Sequence, residues 1–168
     1  MSVERHRAAG ARSVACAIIT VSDTRTPETD TSGARTRELL TQAGHRVTSQ
    51  TILPDEPSRV RAHVEALLAD SDVDAVLVNG GTGLAPRDST YEAIADLLEK
   101  RLDGFGELFR MLSYAEIGAA AMLSRAVAGV ARGKVVASMP GSTAAVELAM
   151  TKLLVPELGH MVTLAQGG

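Results

Sequence analysis

With 168 residues, 45% of them hydrophobic, the chain is long enough and apolar enough for one compact domain with a full core, and so reads as globular rather than disordered. A formal net charge of −3 argues against a general nucleic-acid binder, and no apolar run reaches the roughly 18 residues that span a bilayer. Aromatic residues make up 2% and Trp is absent, so Ala, Val and Leu must fill the core.

The first 12 residues are polar and lack the apolar centre of a secretion signal; they read as a flexible arm before a domain spanning residues 13–168. SVACAIITVS (13–22) is apolar and β-branched on both faces, as a strand covered on both sides should be. It holds the single cysteine, Cys16, which rules out an internal disulfide, reads as a small core residue and fits a cytoplasmic setting. A polar loop (23–33) follows, and Ser32 is placed to cap a helix through about Leu40 that Gly44 stops. HRVTSQTILP (45–54) reads as the second strand. In EPSRVRAHVEALLADSD, Val60, Val64, Leu67 and Leu68 share one helical face. VDAVLVN (73–79) is a third apolar strand.

STYEAIADLLEKRL reads as a helix capped by Ser89 or Thr90, and GFGELFRMLSYAEIG carries Phe105, Leu108, Phe109 and Leu112 at helical spacing. SRAVAGVARGK is open between a loop and a short strand. KVVASMPGS (134–142) is a strand running into a turn, and STAAVELAMTKLL is a helix that Pro156 separates from a short final one. Strands alternating with helices give an α/β three-layer sandwich around a mostly parallel sheet.

Ligands of such sheets bind beyond the carboxyl ends of the strands. Four loops qualify: Ser22 to Thr31, Pro54 to Pro57, Gly80 to Asp88, and Pro140 to Thr143. The third, GGTGLAPRD, is the strongest signal, because glycines let backbone N–H groups approach an anion and Thr82 adds a hydroxyl. A helix starting near Thr90 would aim its positive end at the same space. Asp88 then has two readings: a ligand to Mg²⁺ beside a phosphate, or an ordinary carboxylate at a helix start. Arg87 holds a phosphate or is solvated. Asp55 and Glu56 repeat the theme, and as turn acids they need no ligand. In MPGST, Gly141 permits backbone approach while Ser142 and Thr143 offer a cap and a donor. Ser22, Asp23, Thr31 and Ser32 suit a ligand contact or a plain loop.

Other chemistries lack their residues. The first strand runs into SDTRTP where a dinucleotide fingerprint needs G-x-G-x-x-G, and Ala128 and Val135 break a P-loop around Gly133 and Lys134. No G-x-S-x-G elbow is present. His6, His45, His63 and His160 have no zinc-like spacing, and a mid-strand cysteine is a poor nucleophile.

Taken together, NGGTGLAPRDSTYEA, GFGELFRMLSYAEIG, AMLSRAVAG and MPGST resemble the MoaB/MogA family of molybdenum cofactor biosynthesis, over about Ala15 to Pro156. TVSD, DTSG and PDE fall at similar segments of that family. The same domain occurs in gephyrin-type and CinA-type proteins, so the fold alone does not fix the activity.

The resemblance implies a molybdopterin-binding α/β fold that forms a trimer, or a hexamer (a dimer of trimers) in the B branch. It implies transfer of AMP from Mg²⁺-bound ATP to molybdopterin with release of pyrophosphate, and hand-over of the product to a molybdenum insertase. By motif, Gly80, Gly81, Thr82 and Gly83 would hold phosphate or pterin. Asp88 and Asp55 would be the essential acids and Mg²⁺ ligands. Ser22, Ser124, Pro140, Gly141 and Ser142 would line the pocket. The chain has DSTYEA where MogA-like chains have DVTPEA, and its GFGELFRMLSYAEIG is typical of the B branch. The alternative implied is a non-catalytic molybdopterin-binding protein of MoaB type.

Overall fold

The computed structural model describes residues 2–5 and 12–168. Most of the predicted N-terminal arm, residues 1–12, lies outside the described residues. Six strands form one sheet in the order β2-β1-β3-β6-β5-β4. These are β1 (Ala15–Val21), β2 (Arg46–Leu53), β3 (Ala75–Asn79), β4 (Lys100–Arg101), β5 (Val127–Ala131) and β6 (Lys134–Met139). β2, β1, β3 and β6 run parallel, whereas β5 and β4 are antiparallel additions at one edge. A two-residue turn joins β5 to β6, with Arg132 at φ 49° and Gly133 at φ 72°, as primed hairpin turns require.

Alternation along the buried strands builds a core on each face. Cys16 and Ile18 of β1 and Leu77 of β3 face one way. They meet Leu40 of α1 (Thr31–Gln42), Phe109 of α4 (Asp103–Ile117), Val146 of α5 (Thr143–Ala149) and Leu158 of α6 (Val155–Ala165). Ala17, Ile19, Val76 and Val78 face the other way, against Val60, Val64 and Leu68 of α2 (Pro57–Ala69) and Ile94 of α3 (Thr90–Ala95). Burial in this core pushes the Cys16 thiol up to about 12, which leaves it an unreactive packing residue.

Three local expectations change. The predicted helix through Leu102 stops at Ala95, because the edge of β5 captures the chain: Glu99 N–H donates to the Val130 carbonyl at 2.9 Å and Leu102 N–H to that of Ala128 at 2.8 Å. SRAVAGVARGK supplies that strand. Pro156 does not separate two helices, since a π-helical turn (Met150–Leu154) joins α5 to α6 and leaves the proline in the first turn of α6, where its missing N–H costs little. The cap of α1 is Asp30 rather than Ser32.

Asp30 is 4% exposed and forms no ion pair among the described residues. Its carboxylate accepts from Gly33 N–H at 2.9 Å and from the Thr20 hydroxyl at 2.7 Å, while Thr20 accepts from Asn79 Nδ2 at 3.2 Å. The ends of β1 and β3 and the start of α1 are thereby tied together under the loops. Asp30→Ala removes a cap and leaves buried donors unpaired. It should lower unfolding free energy by about 2–3 kcal/mol, read from urea denaturation; an unchanged midpoint would contradict this role.

Candidate functional site

Because β1, β2, β3 and β6 are parallel, the four loops after them emerge at one edge of the sheet. The chain leaves β1 for β2 and returns across it to β3, so this edge is where strand order reverses, the place at which ligands of open α/β sheets bind. The loops are joined by side chains. Asp23, after β1, takes Arg87 of the third loop in a two-pronged ion pair at 2.7 and 2.9 Å, and accepts from Asp55 N–H at 3.1 Å. Asp55, after β2 and 7% exposed, accepts through Oδ1 from the Ser89 hydroxyl at 3.1 Å and the Thr90 hydroxyl at 3.2 Å. Ser32 of α1 donates to the Gly141 carbonyl at 2.7 Å, and Thr31 meets Thr143 at 2.9 Å, which brings in the fourth loop.

Two glycines admit the acids. A Cβ on Gly81 would lie 2.1 Å from Thr90 Oγ1 and 2.9 Å from Asp55 Oδ2, and Gly81 has φ 67° besides. A Cβ on Gly83 would lie 2.5 Å from Asp88 Oδ2. The carboxylates of Asp55 and Asp88 thus fill the space that side chains at 81 and 83 would need. Asp88 Oδ2 accepts from Ala85 N–H at 3.2 Å. Asp55 Oδ2 and Asp88 Oδ1 accept no hydrogen bond among the described residues. Each acid therefore keeps one bare oxygen at the loop.

The backbone between them is polarised. The N–H groups of Gly81, Thr82, Gly83 and Leu84 find no acceptor among the described residues. Three of the carbonyls are occupied. Gly81 O accepts from Thr90 N–H at 3.0 Å, Thr82 O from Arg125 Nε at 2.8 Å and Gly83 O from Arg125 Nη2 at 2.7 Å. Arg125 also pairs with Glu92, whose carboxyl is held below its usual range by that bond, and lies 4.8 Å from the centre of the Tyr91 ring. Consecutive free amides of this kind make a concavity for an anion.

The predicted site residues fare differently. Gly80 N–H is taken by the Met139 carbonyl at 3.0 Å, so the free amides run from Gly81 to Leu84 rather than from Gly80 to Gly83. Gly80 and Gly141 pack on each other, a Cβ on Gly141 falling 3.0 Å from Gly80 Cα. Ser142 caps α5 and follows Pro140 in the turn. Ser22 accepts from the N–H groups of Thr24 and Arg25 and so shapes its own loop. Ser124 donates its N–H to the Ala121 carbonyl and accepts from Arg110, so among the described residues its hydrogen bonds lie outside the loop. Ser89 occupies the cap position of α3 but donates its hydroxyl to Asp55, and a six-residue helix has little dipole to offer. Arg125 and Glu92 join the loop without any local sequence signal, Arg125 standing within SRAVAG and Glu92 within STYEA.

Among the described residues, no three or more His, Cys, Asp or Glu side chains form a metal cluster. Two carboxylates with one bare oxygen each suit Mg²⁺, which binds through one or two carboxylates together with phosphate oxygens and water. An apolar groove of about 460 Å³ along Leu102, Phe105, Leu153 and His160 is lined by none of the site residues.

Residues 17–160 match the protein family described as "Probable molybdopterin binding domain". The chain is 55% identical over 163 residues to molybdenum cofactor biosynthesis protein B of Halalkalibacterium halodurans, a match that covers 96% of each chain. Its fold matches a crystal structure of a molybdenum cofactor biosynthesis protein B with TM-score 0.91 at 53% identity, over 94% of this chain and 99% of that one. It matches the tungsten cofactor synthesizing protein MoaB of Pyrococcus furiosus with TM-score 0.83 at 35% identity, over 92% and 98%.

The bond from Arg87, and then that from Asp55 N–H, holds the Asp23 carboxyl down to about 2. A depressed folded-state pKa contributes stability that is present above the ordinary carboxylate value and lost as pH falls through about 2. An NMR titration should show the Asp23 midpoint near 2, rising in Arg87→Met toward the ordinary value of about 3.9. An unmoved midpoint would remove the ion pair from this account.

Proposed function

The chain belongs to this molybdopterin-binding family of molybdenum cofactor biosynthesis, and we propose that it is a molybdopterin adenylyltransferase. One observation carries the reading: a loop of four amides that find no acceptor among the described residues, flanked by two carboxylates that each keep an oxygen free of hydrogen bonds from those residues. Such a site suits a reaction between two phosphate groups rather than acyl or zinc chemistry.

In the proposed reaction, a terminal phosphate oxygen of molybdopterin attacks the α-phosphorus of ATP. The bond from that phosphorus to the bridging oxygen breaks, and pyrophosphate leaves with the electron pair. The attacking phosphate is already ionised at neutral pH, so no strong general base is needed. The barrier lies in bringing two anions into line. The amides of Gly81 to Leu84 hold one phosphate group in place, and Gly141, whose N–H also lacks an acceptor among the described residues, faces the same edge. Asp55 and Asp88 would hold Mg²⁺ through their bare oxygens, and the ion would supply charge neutralisation at the phosphates. The Arg87–Asp23 pair keeps the third loop against the first two.

We further propose a cytoplasmic homotrimer or dimer of trimers that passes its product to a molybdenum insertase. Among the described residues no helix is long and apolar enough to cross a membrane. Leu108, Met111, Tyr114 and Ile117 stand exposed on α4, Met111 by 59%, which supports self-association through that helix. Met111→Asp should lower the particle mass in sedimentation; an unchanged mass would take α4 out of the interface.

Purified protein mixed with molybdopterin and Mg-ATP should yield the AMP adduct, detected by chromatography and mass. Asp88→Asn should slow its formation by about 10²–10³ while molybdopterin binding is largely retained. Equal loss of binding and turnover would contradict the separate metal role. Tight molybdopterin binding with no adduct in the unaltered protein would assign a non-catalytic binder.

A further inference from the structure

Arg125 begins the approach to β5 and reaches back to the glycine loop. All three nitrogens of its guanidinium are engaged, through four of the five N–H donors: Nε on the Thr82 carbonyl, Nη2 on the Gly83 carbonyl and on Glu92, Nη1 on Glu92. The Tyr91 ring, with its centre 4.8 Å away, supports the guanidinium. An arginine at a phosphate site is ordinarily read as a ligand for the phosphate. Here the charge is already countered by Glu92, and two of the donors point at backbone oxygens.

The consequence follows from the peptide plane. No peptide bond of the described chain is cis, and in a trans peptide the N–H points opposite to the C=O. Thr82 O shares its plane with Gly83 N–H, and Gly83 O shares its plane with Leu84 N–H. Two carbonyls drawn to one guanidinium therefore turn those two amides to the opposite side, where neither finds a protein acceptor among the described residues. Glycine at 83 makes the adjoining peptides easy to flip, and a flipped peptide would present a carbonyl oxygen to the phosphate. A planar fork can hold two successive carbonyls at once, whereas a lysine offers one flexible point of contact.

We infer that Arg125 is a positioning residue: it holds the Thr82 and Gly83 carbonyls back so that the Gly83 and Leu84 amides meet a phosphate group of the substrate, and it does not itself bind that phosphate. The inference rests on the reading of this loop as a phosphate site.

The test uses the ¹⁵N-labelled full chain, titrated separately with Mg-ATP and with molybdopterin. In the unaltered protein the Gly83 and Leu84 amide signals should move downfield with one of the two, which identifies whose phosphate the loop holds. In Arg125→Met that response should vanish and affinity for the same ligand should fall by about tenfold to a hundredfold. Arg125→Lys keeps the charge and should fail in the same way. Wild-type affinity and a full amide response in Arg125→Lys would overturn the inference and make Arg125 a charge-bearing ligand. A retained response in Arg125→Met would overturn it too. If Arg125→Met does not fold, the lysine variant decides on the same signals. Gly83 and Leu84 signals that ignore both ligands in the unaltered protein would overturn the phosphate reading itself, and this inference with it.

Discussion

Two carboxylates sit where side chains cannot. The space beside Gly81 is filled by Asp55 and Thr90, and the space beside Gly83 by Asp88. This steric exclusion fixes the path of the loop after β3, the start of α3 and the position of both acids together. The glycines therefore make room for the protein's own anions. A methyl group at either position would push against a charged oxygen whose alternatives are few, since Asp55 is buried and already accepts from Ser89 and Thr90. Among the described residues, the same arrangement leaves one oxygen of each acid bare, beside amides that find no acceptor.

The rest of the architecture holds this arrangement still. Parallel strands deliver four loops to one edge, and the buried contacts of Asp30, Thr20 and Asn79 stitch the strand ends beneath them. Above, Asp23 joins Arg87 and the backbone of Asp55. Arg125 approaches from just before β5 and takes the carbonyls of the loop. Like charges gathered at Asp23, Asp55 and Asp88 are tolerated because donors and a guanidinium are distributed among them. Preorganised donors of this sort need no rearrangement when charge develops, which is why they weigh heavily in phosphate chemistry.

Much of this was legible in the residues. The runs ACAIITV and AVLVN are apolar on both faces, which only strands covered on both sides require, and GGTG followed by an acid marked the loop. Other features depend on partners far away in sequence. The early end of α3 is set by the edge of β5, and Pro156 is accommodated by a π-helical turn that no local pattern announces. Asp30 caps α1 because Thr20 waits for its second oxygen, a contact ten residues back across a loop. Arg125 lies more than forty residues beyond the carbonyls it binds, so nothing near it in the chain distinguishes it from a solvated arginine. The backbone amides are harder still to foresee, because which of them remain free depends on where every carbonyl around them goes.

The most direct test of the central claim is a crystal structure of this protein with Mg-ATP and molybdopterin bound. The account predicts a phosphate group on the N–H groups of Gly81 to Leu84, on the side away from Arg125, with the metal on the bare oxygens of Asp55 and Asp88. A phosphate seated on the Arg125 guanidinium, or on another loop with those four amides left bare, would contradict it.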